Sequence, residues 1–197
     1  MSKEQNMSIW DAVCKTDPAS TKAANVRGNK ITAIAPQTQI KAATEMFGPY
    51  GLLWGFQDIK LDFSMLEKTG IVVFQGEFFY SPADLKRDSF PIISSISAYK
   101  DGAMTKPDAD FAKKVETDAL TKALSKLGFN ADVFMGCYDD LKYVAEMEAE
   151  FAASKPLSEE TIKLIGQWVA AINAGNDNIN RITDPAIKSA VAAELMK

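Results

Sequence analysis

From Ala109 to Val144 the chain reads ADFAKKVETDALTKALSKLGFNADVFMGCYDDLKYV, and the first half of this stretch constrains the fold most. Residues 110–127 predict a helix. Asp108 and Asp110 offer N-caps just after Pro107, and Gly128 offers a C-terminal stop. At about 100° per residue, Ala112, Ala119, Leu120, Ala123, Leu124 and Leu127 fall on one side, which is expected to be buried. The opposite side carries Lys113, Thr117, Thr121 and Ser125 at i, i+4 spacing, flanked by Lys114, Lys122 and Lys126. A row of ammonium and hydroxyl groups suits a run of phosphates. On periodicity alone a plain solvated helix face is the favoured reading.

Three alternating segments precede that helix. Residues 55–63 set Gln57, Ile59, Leu61 and Phe63 against Asp58, Lys60 and Asp62. Residues 71–80 place Val72, Phe74, Phe78 and Tyr80 on one face. Residues 90–99 oppose Ile92, Ser94, Ile96 and Ala98 to Ile93, Ser95, Ser97 and Tyr99. Lys68-Thr69-Gly70 and Ser81-Pro82-Ala83-Asp84 supply the turns. The expected fold is α+β: an antiparallel β-β-β-α core, a three- to four-stranded meander with the long helix across one face.

Upstream, Met7–Cys14 is a short amphipathic segment, and Thr16–Lys30, with Lys15, Lys22, Arg27 and Lys30 around Gly28, reads as a loop. Pro36 opens a helix at 37–47 with Ile40, Ala43 and Phe47 inward and Thr38, Lys41 and Glu45 outward. Downstream, 129–135 is apolar and 141–153 helical. The break at Ser154-Lys155-Pro156 separates a core domain, 1–153, from a small C-terminal helical module, 154–197. That module holds a helix with Ile162, Ile165, Trp168, Val169 and Ile172, an Asn/Gly-rich turn at 173–178, and a last helix at 185–196.

Composition excludes several functions. The chain has no histidine, so the usual general base and metal ligand are missing, and no G-x-x-x-x-G-K-[ST] nucleotide loop is present. Neither an enzyme nor a cofactor or metal is expected. Cys14 and Cys137 lack partner motifs and read as small core residues in a reducing cytoplasm. No apolar run could span a membrane, and the N-terminus lacks a signal-peptide core. The net charge of −4 is concentrated at the C-terminal end. Residues 1–135 hold 16 basic and 16 acidic side chains, whereas 136–197 hold 6 and 10. A neutral domain still binds nucleic acid where its cations converge in one groove.

The stretch VETDALTKALSKLGFNADVFMGCYDD resembles the signature helix of the Rad-fifty-two-like strand-annealing family, and IKAATEMFGPYGLLW (Ile40–Trp54) resembles its helix-to-strand segment. Residues 9–144 are more similar still to phage and bacterial single-strand annealing proteins. There WD-x-V-x-KTDP (Trp10–Pro18), ATE-x-FGP-x-G (Ala43–Gly51) and the helix occur together. The resemblance implies ATP-independent binding of single-stranded DNA and annealing of complementary strands in recombination. It also implies a homo-oligomer, ring or helical filament, in the cytoplasm of a bacterial or phage-infected cell. The implied phosphate contacts are Lys113, Thr117, Thr121, Lys122 and Ser125, helped by Lys114, Lys126, Lys41 and Thr38, with Lys86 and Arg87 of the second hairpin as outer contacts. Thr121, Ser125 and Thr38 stand where the family usually carries basic residues, so a shallow salt dependence is expected. Tyr80 and Tyr99 are the candidate base-stacking aromatics. The tail is expected to pack on the core or to dock a partner, a single-strand binding protein or nuclease. The alternatives are a ring-forming RNA- or DNA-binding replication accessory that does not anneal, and a scaffold whose lysines are merely solvated.

Overall fold

The computed structural model describes residues 2–26, 28–82, 86–154, 158–175 and 178–196. The expected turn at Ala83-Asp84, the break at Lys155-Pro156, part of the 173–178 turn and Arg27 lie outside them. The chain forms two compact units, Met1–Met147 and Glu148–Lys197. The division falls inside a helix, upstream of the break expected from sequence.

The first unit opens with α1 (Lys3–Val13), started by a capping box in which Ser2 and Gln5 satisfy one another's backbone donors. The expected loop that follows is instead mostly regular. A 3-10 turn at Pro18–Ser20 leads into β1 (Thr21–Val26), which pairs antiparallel with β2 (Asn29–Ile34) as a separate two-stranded ribbon. Its polar, small residues carry too little strand periodicity to be read as strands. Next comes α2 (Pro36–Phe47), with proline at its first turn and Gly48 ending it at φ 99°.

The core sheet is β3 (Trp54–Asp62), β4 (Ile71–Tyr80) and β5 (Asp88–Ser97), an antiparallel meander with β4 central, and a short α3 (Leu66–Thr69) turns the first connection. After it, α4 (Phe111–Lys126) lies across one face. Val72, Phe74 and Phe78 of β4 and Ile92 of β5 point inward as their alternation requires. In β3 the expected face of Gln57, Ile59, Leu61 and Phe63 is split. Asp58 sits at φ 53° in a bulge that shifts register between Gln57 and Lys60, so Phe56 and Leu61 pack inward while Ile59 and Phe63 are exposed. A bulge leaves no mark in a strict two-residue alternation.

Helix α4 buries Val115, Ala119, Leu120, Ala123 and Leu124. Ala112 is exposed and Leu127 half-buried, so the buried stripe runs one turn closer to Val115 than the sequence implies. Ala43, Ala119 and Ala123 are fully buried and let α2 and α4 approach closely, while Trp54, Phe74, Phe78 and Phe129 fill the space around them. Each buried aromatic stabilises the fold by about 2–3 kcal/mol.

Beyond α4 the chain turns on Gly128 at φ 97°, where a Cβ would lie 2.7 Å from the Trp10 ring. Replacing Gly128 with Ala meets both the left-handed backbone and the indole, and is expected to cost about 2–3 kcal/mol in chemical denaturation. A loss under about 0.5 kcal/mol would show that Trp10 is not held there. A short α5 (Ala131–Phe134) and a 3-10 turn at Cys137–Asp139 lead to α6 (Leu141–Ser154), which carries the chain out of the first unit.

In the second unit, α7 (Glu159–Asn173) is capped by the Ser158 hydroxyl and α8 (Pro185–Leu195) by the Asp184 carboxylate. Ile165, Ile182 and Val191 form its small core, with Trp168, Val169 and Ile172 packed around them. An open apolar cleft of about 490 Å³ lies between α7 and α8. No described helix is long and apolar enough to cross a membrane.

Candidate nucleic-acid interface

The first three turns of α4 form one wall of a cleft of about 410 Å³. Lys113, Lys114, Thr117, Asp118 and Thr121 line that side with Asp110, and Ile34 and Pro36, at the β2–α2 corner, close the other. The ladder therefore borders a cleft in its N-terminal half. That cleft is closed by the β2–α2 corner, and the β4–β5 hairpin, with the expected outer contacts Lys86 and Arg87, does not line it.

Each ladder residue has a definite local state. Lys113 is exposed and makes no ion pair with a described residue, so its ammonium is the least committed cation of the cleft. Thr117 and Ser125 are half-buried and turn their hydroxyls back to the Lys113 and Lys122 carbonyls, at 2.8 and 3.0 Å. Thr121 donates to Gln39 Oε1 of α2 at 2.9 Å. All three hydroxyl protons are thus used within the protein, and what they offer a ligand is lone pairs or an exchange of partner.

The neighbouring lysines are matched with carboxylates. Lys122 Nζ lies 2.9 Å from Asp118 and 3.1 Å from Ser94 Oγ, and the buried Ser94 hydroxyl in turn bonds Asp118. Lys114 pairs with Asp108, whose side chain is 6 % exposed. The Lys114 hydrogen bond holds the Asp108 carboxyl below the usual carboxylate range, and Asp108 in turn raises the Lys114 ammonium. A depressed carboxyl stabilises the fold above its ordinary pKa, about 4, and loses that contribution as pH falls through the lower folded value. Denaturation midpoints of wild type and Asp108→Asn should therefore converge on acidification below about pH 4; a gap that stays constant would contradict the pairing.

The remaining candidates are dispersed. Lys41 pairs with Glu45 at 3.6 Å on the outer side of α2, and Thr38 is half-buried and does not line the cleft. Lys126 sits 5.7 Å from the Phe90 ring centroid, beyond the end of the cleft. Arg87 stacks 3.7 Å over Phe79 and bonds Gln57. Phe79 and Gln57 project from the sheet face opposite the one that packs on α4, because Phe78 and Phe56 point into the core. Arg87, with Lys86 beside it, is therefore separated from the α4 cleft by the sheet. Tyr80 packs among Phe47, Phe78 and Phe90 as part of the core edge, which removes it as a free stacking platform. Tyr99 is half-buried beside Pro107.

Sequence reasoning missed a buried polar network behind the cleft. Thr121 bonds Gln39, whose Nε2 donates to Asn130 Oδ1 at 3.2 Å. Asn130 Nδ2 then donates to Thr16 Oγ1 at 3.0 Å. Thr16 delivers its backbone N–H and hydroxyl to Asp132 at 2.8 and 2.5 Å, and the Tyr143 hydroxyl adds a third donor at 3.0 Å. Burial first, and then Asp132, push the Tyr143 phenol well above its ordinary pKa. Gln39, Thr16, Asn130 and Asp132 are all buried. Polar residues at inward helical positions, such as Gln39 beside Ala43, were the available signal. No described buried side-chain polar atom is left without a partner.

The arrangement offers the Lys113 and Lys114 ammonium groups and the Thr117 and Thr121 hydroxyls beside a cleft, with Thr121 tied to a buried polar network. Among the described residues no group of acidic or cysteine side chains is arranged to hold a metal ion. No protein-family model matches the chain, and no curated protein matches it either.

Proposed function

We propose that the protein binds single-stranded DNA through its phosphates and anneals complementary strands without ATP. The observation that carries this reading is the α4 cleft: cations and hydroxyls spaced along one helix, with a groove beside them. The strand backbone lies along Lys113, Thr117 and Thr121 in the cleft and leaves it past Lys122 and Ser125, which stand beyond its lining. Contacts to phosphate carry no sequence information and leave base edges free, which is what pairing with a second strand needs. The resemblance of residues 9–144 to strand-annealing proteins supports the same reading, together with action as a cytoplasmic homo-oligomer in recombination.

Asp110 and Asp118 also line the cleft, and Asp118 occupies the Lys122 ammonium that a phosphate would take. Binding is therefore an exchange of anions, and affinity per subunit is modest. Neutralising about two phosphates per subunit gives a slope of about −1.4 in log K against log salt. Asp118→Asn is expected to tighten binding of an oligo-dT roughly three- to fivefold, about 0.6–1 kcal/mol. Stability should stay within about 0.5 kcal/mol, since the pair is half-exposed. Unchanged or weaker binding would mean that Lys122 is not a phosphate contact. The proposed partner of the second unit is a single-strand binding protein or nuclease of the same recombination system.

The deciding experiment mixes two complementary oligonucleotides, one with a fluorophore and one with a quencher, at a concentration where spontaneous pairing is slow. Acceleration by the protein without nucleotide supports annealing. Binding without acceleration would favour the replication-accessory reading, and no binding at low salt would reduce the ladder to a solvated face.

A further inference from the structure

The core sheet has two edges, and they are treated differently. Along β3 the edge is broken by the bulge at Gln57–Lys60 and carries Asp58, Lys60 and Asp62. Bulges and charges are the usual means of stopping strand-to-strand association. Along β5 the ten-residue edge holds no charge after Asp88, and Pro91 is its single interruption. Proline in a sheet turns its nitrogen away from the ladder, which assigns residues of the same parity, Ile93, Ser95 and Ser97, to the outward edge. Their side chains stand on the sheet face away from α4, and Ile93 is 66 % exposed. Among the described residues, the backbone groups of β5 bond only to β4. Among the described residues, 93–97 are thus an unpaired, uncharged edge.

The β1–β2 ribbon has the complementary deficiency. Among the described residues it is two six-residue strands that pair only with each other, and its described side chains are exposed or half-exposed. Such a ribbon is marginal alone. We infer that the free edge of β5 is an assembly surface that takes the β1–β2 ribbon of a second copy of this chain as an added strand. A ribbon of six residues matches the five clear residues of the edge. Pairing one copy's β5 with the next copy's ribbon is heterologous, so it propagates into a ring or a filament rather than stopping at a dimer. This rests on the assembly half of the proposed function and is independent of its nucleic-acid half.

Ser95→Pro removes an outward N–H at an edge position, and Ile93→Lys adds a charge there, each without touching the core. Light scattering on the full chain is expected to give a multiple of 21.5 kDa for wild type and a single-chain mass for both variants, with unchanged circular dichroism. A photo-crosslinking residue in place of Ile93 is expected to attach to residues 21–34 of another copy. A monomeric wild type, variants that assemble as wild type does, or a cross-link to β5 or any other segment would overturn the inference. The nucleic-acid reading fails by a different sign: full assembly with no shift of oligo-dT at low salt.

Discussion

Asp132→Ala is expected to destabilise the first unit by about 3–5 kcal/mol, enough to leave much of a marginally stable domain unfolded at room temperature. The carboxylate accepts the Thr16 backbone N–H, the Thr16 hydroxyl and the Tyr143 hydroxyl. Truncation strips the buried Thr16 N–H and hydroxyl of their acceptor, and the desolvation cost of both remains, while the half-buried Tyr143 hydroxyl loses its partner. Tyr143→Phe removes a single donor and should cost only about 1 kcal/mol. Urea denaturation followed by tryptophan fluorescence measures both. A loss under about 1 kcal/mol for Asp132→Ala would mean that water replaces the carboxylate and that the network is not closed.

The pair Lys113→Ala/Lys122→Ala should weaken binding of any single-stranded oligonucleotide by roughly tenfold or more, about 1.4 kcal/mol or more, and to the same degree for every sequence. The salt slope should flatten toward zero as the two phosphate contacts vanish. Lys113 is exposed and Lys122 half-exposed in its pair with Asp118, so stability should fall by no more than about 0.5–1 kcal/mol. Fluorescence anisotropy across a salt series separates this from a general loss of stability. Binding equal to wild type with an unchanged slope would place the site elsewhere, the first alternative being the Arg87 face of the sheet.

The two predictions act on different layers of the same motifs. Trp10 lies under Gly128, Thr16 meets Asp132, Phe47 packs 5.8 Å from Phe129, and Trp54 donates its indole N–H to the Gly48 carbonyl at 2.8 Å. The three stretches that carry the family resemblance thus close on one another and hold the fold. Of the ladder residues, Thr121 and Ser125 stand where the family that α4 resembles usually carries basic side chains, and Lys122 keeps its charge.

This explains what could be read from the sequence. The β-β-β-α order, the β4 face and the limits of α4 followed from alternation, Pro107 and Gly128, all local properties, although Asp110 at the N-cap makes no side-chain capping bond and its own N–H goes to Asp108. Tertiary choices were hidden. The bulge at Asp58 reversed Ile59, small residues concealed the ribbon, and Gln39 was buried because Thr121 and Asn130 meet it. Of the candidate contacts, Lys113, Lys114, Thr117 and Thr121 share one cleft. Helical spacing foresaw that they would share a face. It could not foresee that Asp108 and Asp118 would claim two of the lysines, or that Arg87 would turn to the far side of the sheet.

The central claim is that the α4 cleft holds the strand. Lysine acylation mapped by mass spectrometry, with and without saturating oligo-dT, tests it most directly. Protection of Lys113 and Lys122 with Lys68 and Lys100 unchanged is the predicted result. Equal modification of Lys113 and Lys122 in free and DNA-bound protein would contradict it.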